Sequence, residues 1–160
     1  MTVKEVLMYL LEYTYERRDG AYPPLVAALA GLTAGQASWK PAPERHSIWQ
    51  IVRHMTHWMD AGIDALAGRP HVNTELERSD WGAVSGDEKE WQADVTRLQG
   101  DYRRFKERLQ AMNEEDLAAL IEPYRGMSRY PAAIRFIKTA THDTYHIGQI
   151  RYLRALQGAR

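Results

Sequence analysis

The densest chemical signal in the chain is the run His142-Asp-Thr-Tyr-His146. On a helix, two histidines four residues apart project from the same face one turn from each other, so both imidazoles can reach one ion. With no cysteine anywhere in the sequence, thiolate ligands, disulfides and a cysteine nucleophile are excluded together, and any metal must rest on His, Asp or Glu. A third ligand is needed, and His54 and His57 are the nearest candidates in type. His54 lies three residues after Ile51 and four before Trp58, on the apolar side of its segment, whereas His57 shares a side with Arg53, Asp60 and Asp64. The expected metal ligands are therefore His54, His142 and His146, and His57 is read as a partly exposed surface histidine. His46 and His71 fall at a helix entrance and in a linker and are weak candidates. Three imidazoles on a divalent ion leave at least one position open. Such an ion is a Lewis acid, able to activate a water or to stabilise an incoming thiol as thiolate. Gln149, three residues beyond His146, is placed to orient a ligand or substrate, with a buried amide satisfied by backbone as the plainer reading. Trp58 and Tyr145, like Trp49 and Trp91, read most simply as core, and the first two are also candidates for lining a cofactor pocket.

Four segments carry helical periodicity and would have to position these residues, with most Gly and Pro between them. The first covers about residues 2–31, broken near Asp19–Gly20 and restarted by Pro23–Pro24. Thr33 with Gln36 resembles a capping box for a further short turn, which stops at Pro41 and Pro43. The second helix starts at Ser47, three residues before Gln50, another capping-box spacing, and runs to Leu66 before Gly68. Ile48, Ile51, Met55, Trp58 and Gly62 form its buried stripe. Residues 69–86 have no sustained period and read as a linker. At about 3.3 Å per residue they reach roughly 59 Å, against roughly 30 Å for a twenty-residue helix, so helices two and three can run parallel. The third helix spans about 87–112, with Trp91, Val95, Leu98, Tyr102, Phe105 and Leu109 as its stripe, and Asn113 caps a short piece after it. The last opens at Pro131 and continues to Leu156 before Gly158. Ile134, Ile137, Thr141, Tyr145, Gly148, Tyr152, Leu153 and Leu156 are expected to form its inward arc, with His142 and His146 bordering it. The expectation is an all-α four-helix bundle in a single domain over residues 1–160.

At 160 residues the chain can bury one sizeable core, and its 44% hydrophobic and 26% charged residues are ordinary for a globular domain. Lys and Arg together number 21, as do Asp and Glu, and the basic clusters are interleaved with acids. That balance argues against nucleic-acid binding, which needs a basic excess or stripe. Lys4, Glu5 and Glu12 interrupt the N-terminal apolar run, which rules against a signal peptide or membrane span and makes the cytoplasm the expected location.

The run Ala28-Leu-Ala-Gly-Leu-Thr33, then Trp39-Lys-Pro, then His46-Ser-Ile-Trp-Gln-Ile-Val-Arg-His54, and finally His142-x-x-x-His146-x-Gly148-Gln149-Ile150 with Arg154, resembles the DinB/YfiT-like superfamily from about Leu25 to Leu156. The resemblance implies an up-down-down-up bundle. It also implies a metal triad of one histidine from the second helix and two from the fourth, which maps onto His54, His142 and His146. Members are commonly homodimers, with zinc or nickel in the site. Some transfer a low-molecular-weight thiol such as bacillithiol or mycothiol to small electrophiles, and others hydrolyse or isomerise small molecules. The expectation is a metal-dependent thiol S-transferase. The alternatives are a hydrolase or isomerase using metal-bound water, to which the His-Asp-x-x-His run bears a superficial likeness, and a non-catalytic bundle that binds a metal or small ligand.

Overall fold

The computed structural model describes residues 1–158. Eight helices follow in order: α1 (Val3–Tyr15), α2 (Leu25–Leu29), α3 (Ala34–Ser38), α4 (Ile48–Leu66), α5 (Asn73–Ser79), α6 (Glu88–Ala111), α7 (Glu114–Ala118) and α8 (Ala132–Leu156). Between α7 and α8 a two-residue ribbon pairs β1 (Leu120–Ile121) with β2 (Tyr130–Pro131) antiparallel, Leu120 opposite Pro131. Local sequence sets most of the helix starts. Thr2, Thr33, Ser47, Asp87 and Asn113 each accept from the backbone N–H three residues on, and the side chain at that position answers the cap's own N–H. After α4, Gly68 takes φ 76°, a left-handed turn that a side chain resists.

Four long helices make the frame. α4 packs on α6 and α8, and α1 packs on α8 and α6, closing a ring around one core. Trp49, Trp91, Phe105 and Phe136 are fully buried there, with Trp49 edge-on to Trp91 at 5.5 Å and Phe105 against Phe136 at 4.7 Å. Pairs between α4 and α6 rise together in number: Trp49 and Arg53 with Asp94, Asp60 with Arg97 and Arg104, and the Leu66 carbonyl with Arg108. Between α1 and α6 the order reverses, with Lys4 on the Gln110 carbonyl and Lys106 on Glu12 and Glu16. It also reverses between α4 and α8, where His54 meets His142 and Arg135 meets the Trp58 carbonyl.

The first segment is broken around Asp19–Gly20 as expected: α1 ends at Tyr15, the Tyr13 hydroxyl accepts from the Ala21 N–H in the gap, and Pro24 stands immediately before α2. Two expectations need correction. The 69–86 linker contains α5, whose lone buried side chain, Leu76, is too little to give a period. The inward arc of α8 is largely outward. Ile137, Thr141, Tyr145, Gly148, Tyr152 and Leu156 are exposed, Ile134 is half-buried, and of that set Leu153 alone is buried. The inner face is instead Ala132, Arg135, Phe136, Thr139, Ala140, Asp143, His146, Ile147, Ile150 and Leu153. Apolar residues surround α8 on all sides, so periodicity alone could not choose. Polar side chains with partners inside the bundle took the inner face.

No described helix is long and apolar enough to cross a membrane.

Candidate metal centre

Three imidazoles meet at the junction of α4 and α8. His54 is buried midway along α4, and His142 and His146 sit one turn apart on α8, the former about one-third exposed and the latter buried. His142 Nε2 lies 3.0 Å from His54 Nε2 and 3.1 Å from His146 Nε2, and the nitrogens of all three lie within 4.8 Å of one another. The structure thus brings together the three histidines singled out from the sequence.

The opposite nitrogen of each ring is anchored to an oxygen. His54 Nδ1 sits 2.8 Å from both carboxylate oxygens of Asp80, His142 Nδ1 is 2.9 Å from Asp143 Oδ1, and His146 Nδ1 is 2.7 Å from Gln149 Oε1. Oxygens that can only accept assign the proton to Nδ1, leaving the three Nε2 lone pairs facing one another. Three lone pairs at that separation repel unless a cation lies among them. Nitrogens bound tetrahedrally at about 2.0–2.1 Å are about 3.3 Å apart, close to what is seen. The donor set therefore fits a divalent ion of borderline softness, and carboxylate–histidine pairing is the usual support for such ligands.

A further layer holds the anchors. Asp80 follows α5 and also accepts from Trp58 Nε1 at 2.8 Å and from the Trp81 N–H at 2.9 Å. Trp81 takes φ 55°, a left-handed conformation that costs a non-glycine residue about 1 kcal/mol. In exchange its ring stacks on two imidazoles, 4.0 Å from His54 and 3.7 Å from His46, nearly parallel to both. Asp143 is buried on the inner face of α8, and its other oxygen accepts from the Tyr15 hydroxyl of α1 at 2.5 Å. Gln149 donates to the Tyr145 hydroxyl at 2.9 Å.

Burial sets the electrostatics. It pulls His54 down to about 4 despite the opposing pull of Asp80, and it lowers His146, with the adjacent imidazole adding to the effect. Burial alone would raise Asp80, but its bonds from Trp58 and His54 outweigh that and hold it below the usual carboxylate range. Tyr15 is pushed well above its ordinary value by burial and then by Asp143, so it stays a proton donor. The two buried histidines are neutral at physiological pH, the form a metal requires.

The remaining candidates fall outside the cluster. His57 bonds the Leu76 carbonyl at 3.1 Å, His71 pairs with Asp64 at 2.9 Å, and His46 stacks on Trp81. Trp58 is half-buried and fixes Asp80, and Gln149 orients a histidine. Tyr145 is 65% exposed and so is no core residue. Sequence reasoning missed Asp80, Trp81, Asp143 and Tyr15. Asp143 had a signal, its place beside His142, whereas Asp80 lies 26 residues from His54 inside a stretch without period.

Comparison with known proteins agrees with this architecture. The family model described as the DinB superfamily matches residues 19–150. A DinB-like protein from Bacillus cereus is 15% identical, with 98% of this chain and 86% of that one covered at a TM-score of 0.59. A conserved protein from Enterococcus faecalis is 20% identical, covering 98% and 97%, at 0.67. At such identities the likeness is one of fold. No curated protein matches the chain.

Proposed function

The chain belongs to the DinB superfamily, and from that premise we propose that it is a metal-dependent enzyme of the thiol S-transferase type, joining a low-molecular-weight thiol such as bacillithiol or mycothiol to small electrophiles. The observation that carries the proposal is the convergence of three Nε2 atoms, each on a ring anchored through Nδ1. In this reading His54, His142 and His146 hold the ion, zinc or nickel as the family resemblance implies, the imidazole donors themselves suiting zinc, nickel, copper and iron alike. When bound, it supplies Lewis acidity that stabilises a thiol as its thiolate. The chain does the rest. Asp80, Asp143 and Gln149 fix each ring's tautomer and direction, the Trp81–His46 stack covers the His54 side, and His142, the most exposed of the three, marks the side from which a thiol enters.

The test is conjugation of a chromogenic electrophile by protein purified without a polyhistidine tag, assayed zinc-loaded and metal-free with each thiol. A zinc-dependent rate is expected. Equal rates with and without metal for every thiol overturn the proposal, and thiol-independent ester cleavage would assign hydrolysis instead.

The same reading takes the frame as an up-down-down-up bundle in one cytoplasmic domain. It is supported by contacts that rise together between α4 and α6 and oppositely in the α1–α6 and α4–α8 pairs. It also takes the chain as a homodimer, supported by the exposed stripe Ile137, Tyr145, Tyr152 and Leu156 on α8. Sedimentation of Tyr152→Glu, expected to run as monomer beside a dimeric wild type, checks that.

A further inference from the structure

Beside His142 lies a second chemical feature that the metal centre does not use. A cavity of about 170 Å³ is lined by Trp58, Tyr124, Tyr130, Arg135, Lys138 and His142. Arg135 is buried on the inner face of α8, 4% exposed, and Lys138 is one turn before His142. Neither has a carboxylate within ion-pair distance among the described residues, whereas Arg17, Arg53, Arg69, Arg97, Arg104 and Lys106 all do. The neighbouring clefts over α4 and α6 carry Asp60, Asp64, Asp94 and Glu75, and this cavity carries no acid.

The surroundings of Arg135 hold it in place without neutralising it. Its Nη1 donates to the Tyr124 hydroxyl at 3.0 Å, its Nη2 donates to the Trp58 carbonyl at 3.2 Å, and its guanidinium lies over the Tyr124 ring. Among the described residues, neither the Nε nor the buried Tyr130 hydroxyl has a hydrogen-bond partner. Lys138 lies over the Tyr130 ring at 4.7 Å. On α4, Gly62 clears the path of Arg135, since a Cβ there would come within 2.8 Å of Nε. A buried guanidinium without a counter-charge is a costly arrangement for stability alone, and it suits a planar acid that arrives from outside.

We propose that this cavity is a carboxylate subsite, in which Arg135, Lys138 and the Tyr130 hydroxyl hold the acidic group of a substrate whose reacting end lies at the His142 edge of the triad. Along α8, Lys138 and Arg135 are about 6 and 10 Å from His142, the span of a small organic acid. The aromatic walls favour an organic acid over a bare inorganic anion. The acid can come from the thiol or from its electrophilic partner; that question and the place of the reacting end rest on the metal-dependent reading above, whereas the carboxylate site itself does not.

The test is a titration of the full chain, zinc-loaded and metal-free, with propionate, 3-mercaptopropionate, 2-mercaptoethanol and inorganic phosphate. It is followed by the NMR signals of the Trp58 indole and the Thr139 amide. Both carboxylates are expected to shift these signals in the metal-free protein, where 2-mercaptoethanol does not. Arg135→Met is expected to weaken propionate at least tenfold and Lys138→Gln about threefold. Lys138 is exposed, so its variant reads the site even if Arg135→Met fails to fold. Tighter binding of 3-mercaptopropionate than of propionate once zinc is present supports the subsite and assigns the acid to the thiol. Equal binding with zinc supports it and assigns the acid to the electrophile. Propionate binding untouched by Lys138→Gln, shifts as large with 2-mercaptoethanol in the metal-free protein, or phosphate outcompeting propionate would overturn the subsite. Each can occur while zinc still binds the triad, so the two readings fail separately.

Discussion

Substituting Asp80 by Asn changes one atom and tests how the triad is held. Three donors converge on this carboxylate: His54 Nδ1 at 2.8 Å from both oxygens, Trp58 Nε1 on Oδ2 at 2.8 Å, and Trp81 N–H on Oδ1 at 2.9 Å. An asparagine offers one oxygen and one NH2 group. His54 is equidistant from the two positions, so it keeps an acceptor whichever way the amide turns, and the donor left facing NH2 is Trp58 or the Trp81 backbone. The His54 bond survives but loses its ionic character, which makes up roughly half the strength of a charge-assisted bond. Outer partners of metal-binding histidines are typically worth 10–100-fold in affinity. Asp80→Asn belongs at the lower end, about tenfold or about 1.4 kcal/mol, and Asp80→Ala, which removes every acceptor, near the upper end. The stranded donor also costs the metal-free fold about 1–3 kcal/mol. Competition against a chromogenic zinc chelator measures the first quantity and urea unfolding of the metal-free protein the second. A folded Asp80→Asn variant with wild-type zinc affinity would refute the idea that Asp80 tunes the site through His54.

Other outcomes follow from the same geometry. His142→Ala should strip nearly all bound metal while His57→Ala, whose ring bonds the Leu76 carbonyl, leaves it in place; elemental analysis showing equal loss would reject the choice of His54 over His57. Burial holds His54 at about 4 in the native protein and lowers His146 as well, so the unfolded chain takes up protons below about pH 6.5 that the folded one refuses. Stability of the metal-free protein is therefore fully present above about 6.5 and falls as pH drops towards 4, by up to roughly 3 kcal/mol from His54. Thermal unfolding at pH 7.5, 5.5 and 4.5 should show that decline in the wild type and a shallower one in His54→Gln. Gly62→Ala should destabilise by about 1–3 kcal/mol in urea despite the better helix propensity of alanine, because its Cβ meets Arg135 Nε at 2.8 Å; a neutral or stabilising result would show that Arg135 shifts freely.

The histidines were legible in the sequence because each lies on a long helix with a readable face. His54 follows Ile51 at three residues and His146 follows His142 at four, so helix geometry fixes their direction before any packing is known. The capping pairs Thr33–Gln36 and Ser47–Gln50 were legible for a similar reason, their partners being three residues away. Asp80 and Trp81 were not, because their positions depend on where α5 carries the chain over α4, a long-range outcome with no local period. The outer face of α8 misled for a third reason. Tyr145, Tyr152 and Leu156 are as apolar as a core stripe, and only the packing of Arg135, Asp143 and His146 against α1 and α4 shows which side lies inward.

That inversion bears on what the site is for. A histidine kept for stability in a core needs one ring nitrogen donating and the other accepting, and ordinary packing supplies both from neighbouring backbone or hydroxyl groups. Here the donating side is satisfied three times over, by Asp80, Asp143 and Gln149, while the accepting nitrogens are turned towards one another. Rotating any one imidazole by half a turn would relieve the repulsion and break its anchor. The anchors in turn draw on three further groups, Trp58, Tyr15 and Tyr145, from α4, α1 and α8. A bundle under selection for stability alone would fill this junction with apolar side chains, since burying polar groups in an unfavourable orientation gains nothing over packing. Three elements of the frame instead cooperate to maintain an arrangement that a positive charge at its centre would make favourable.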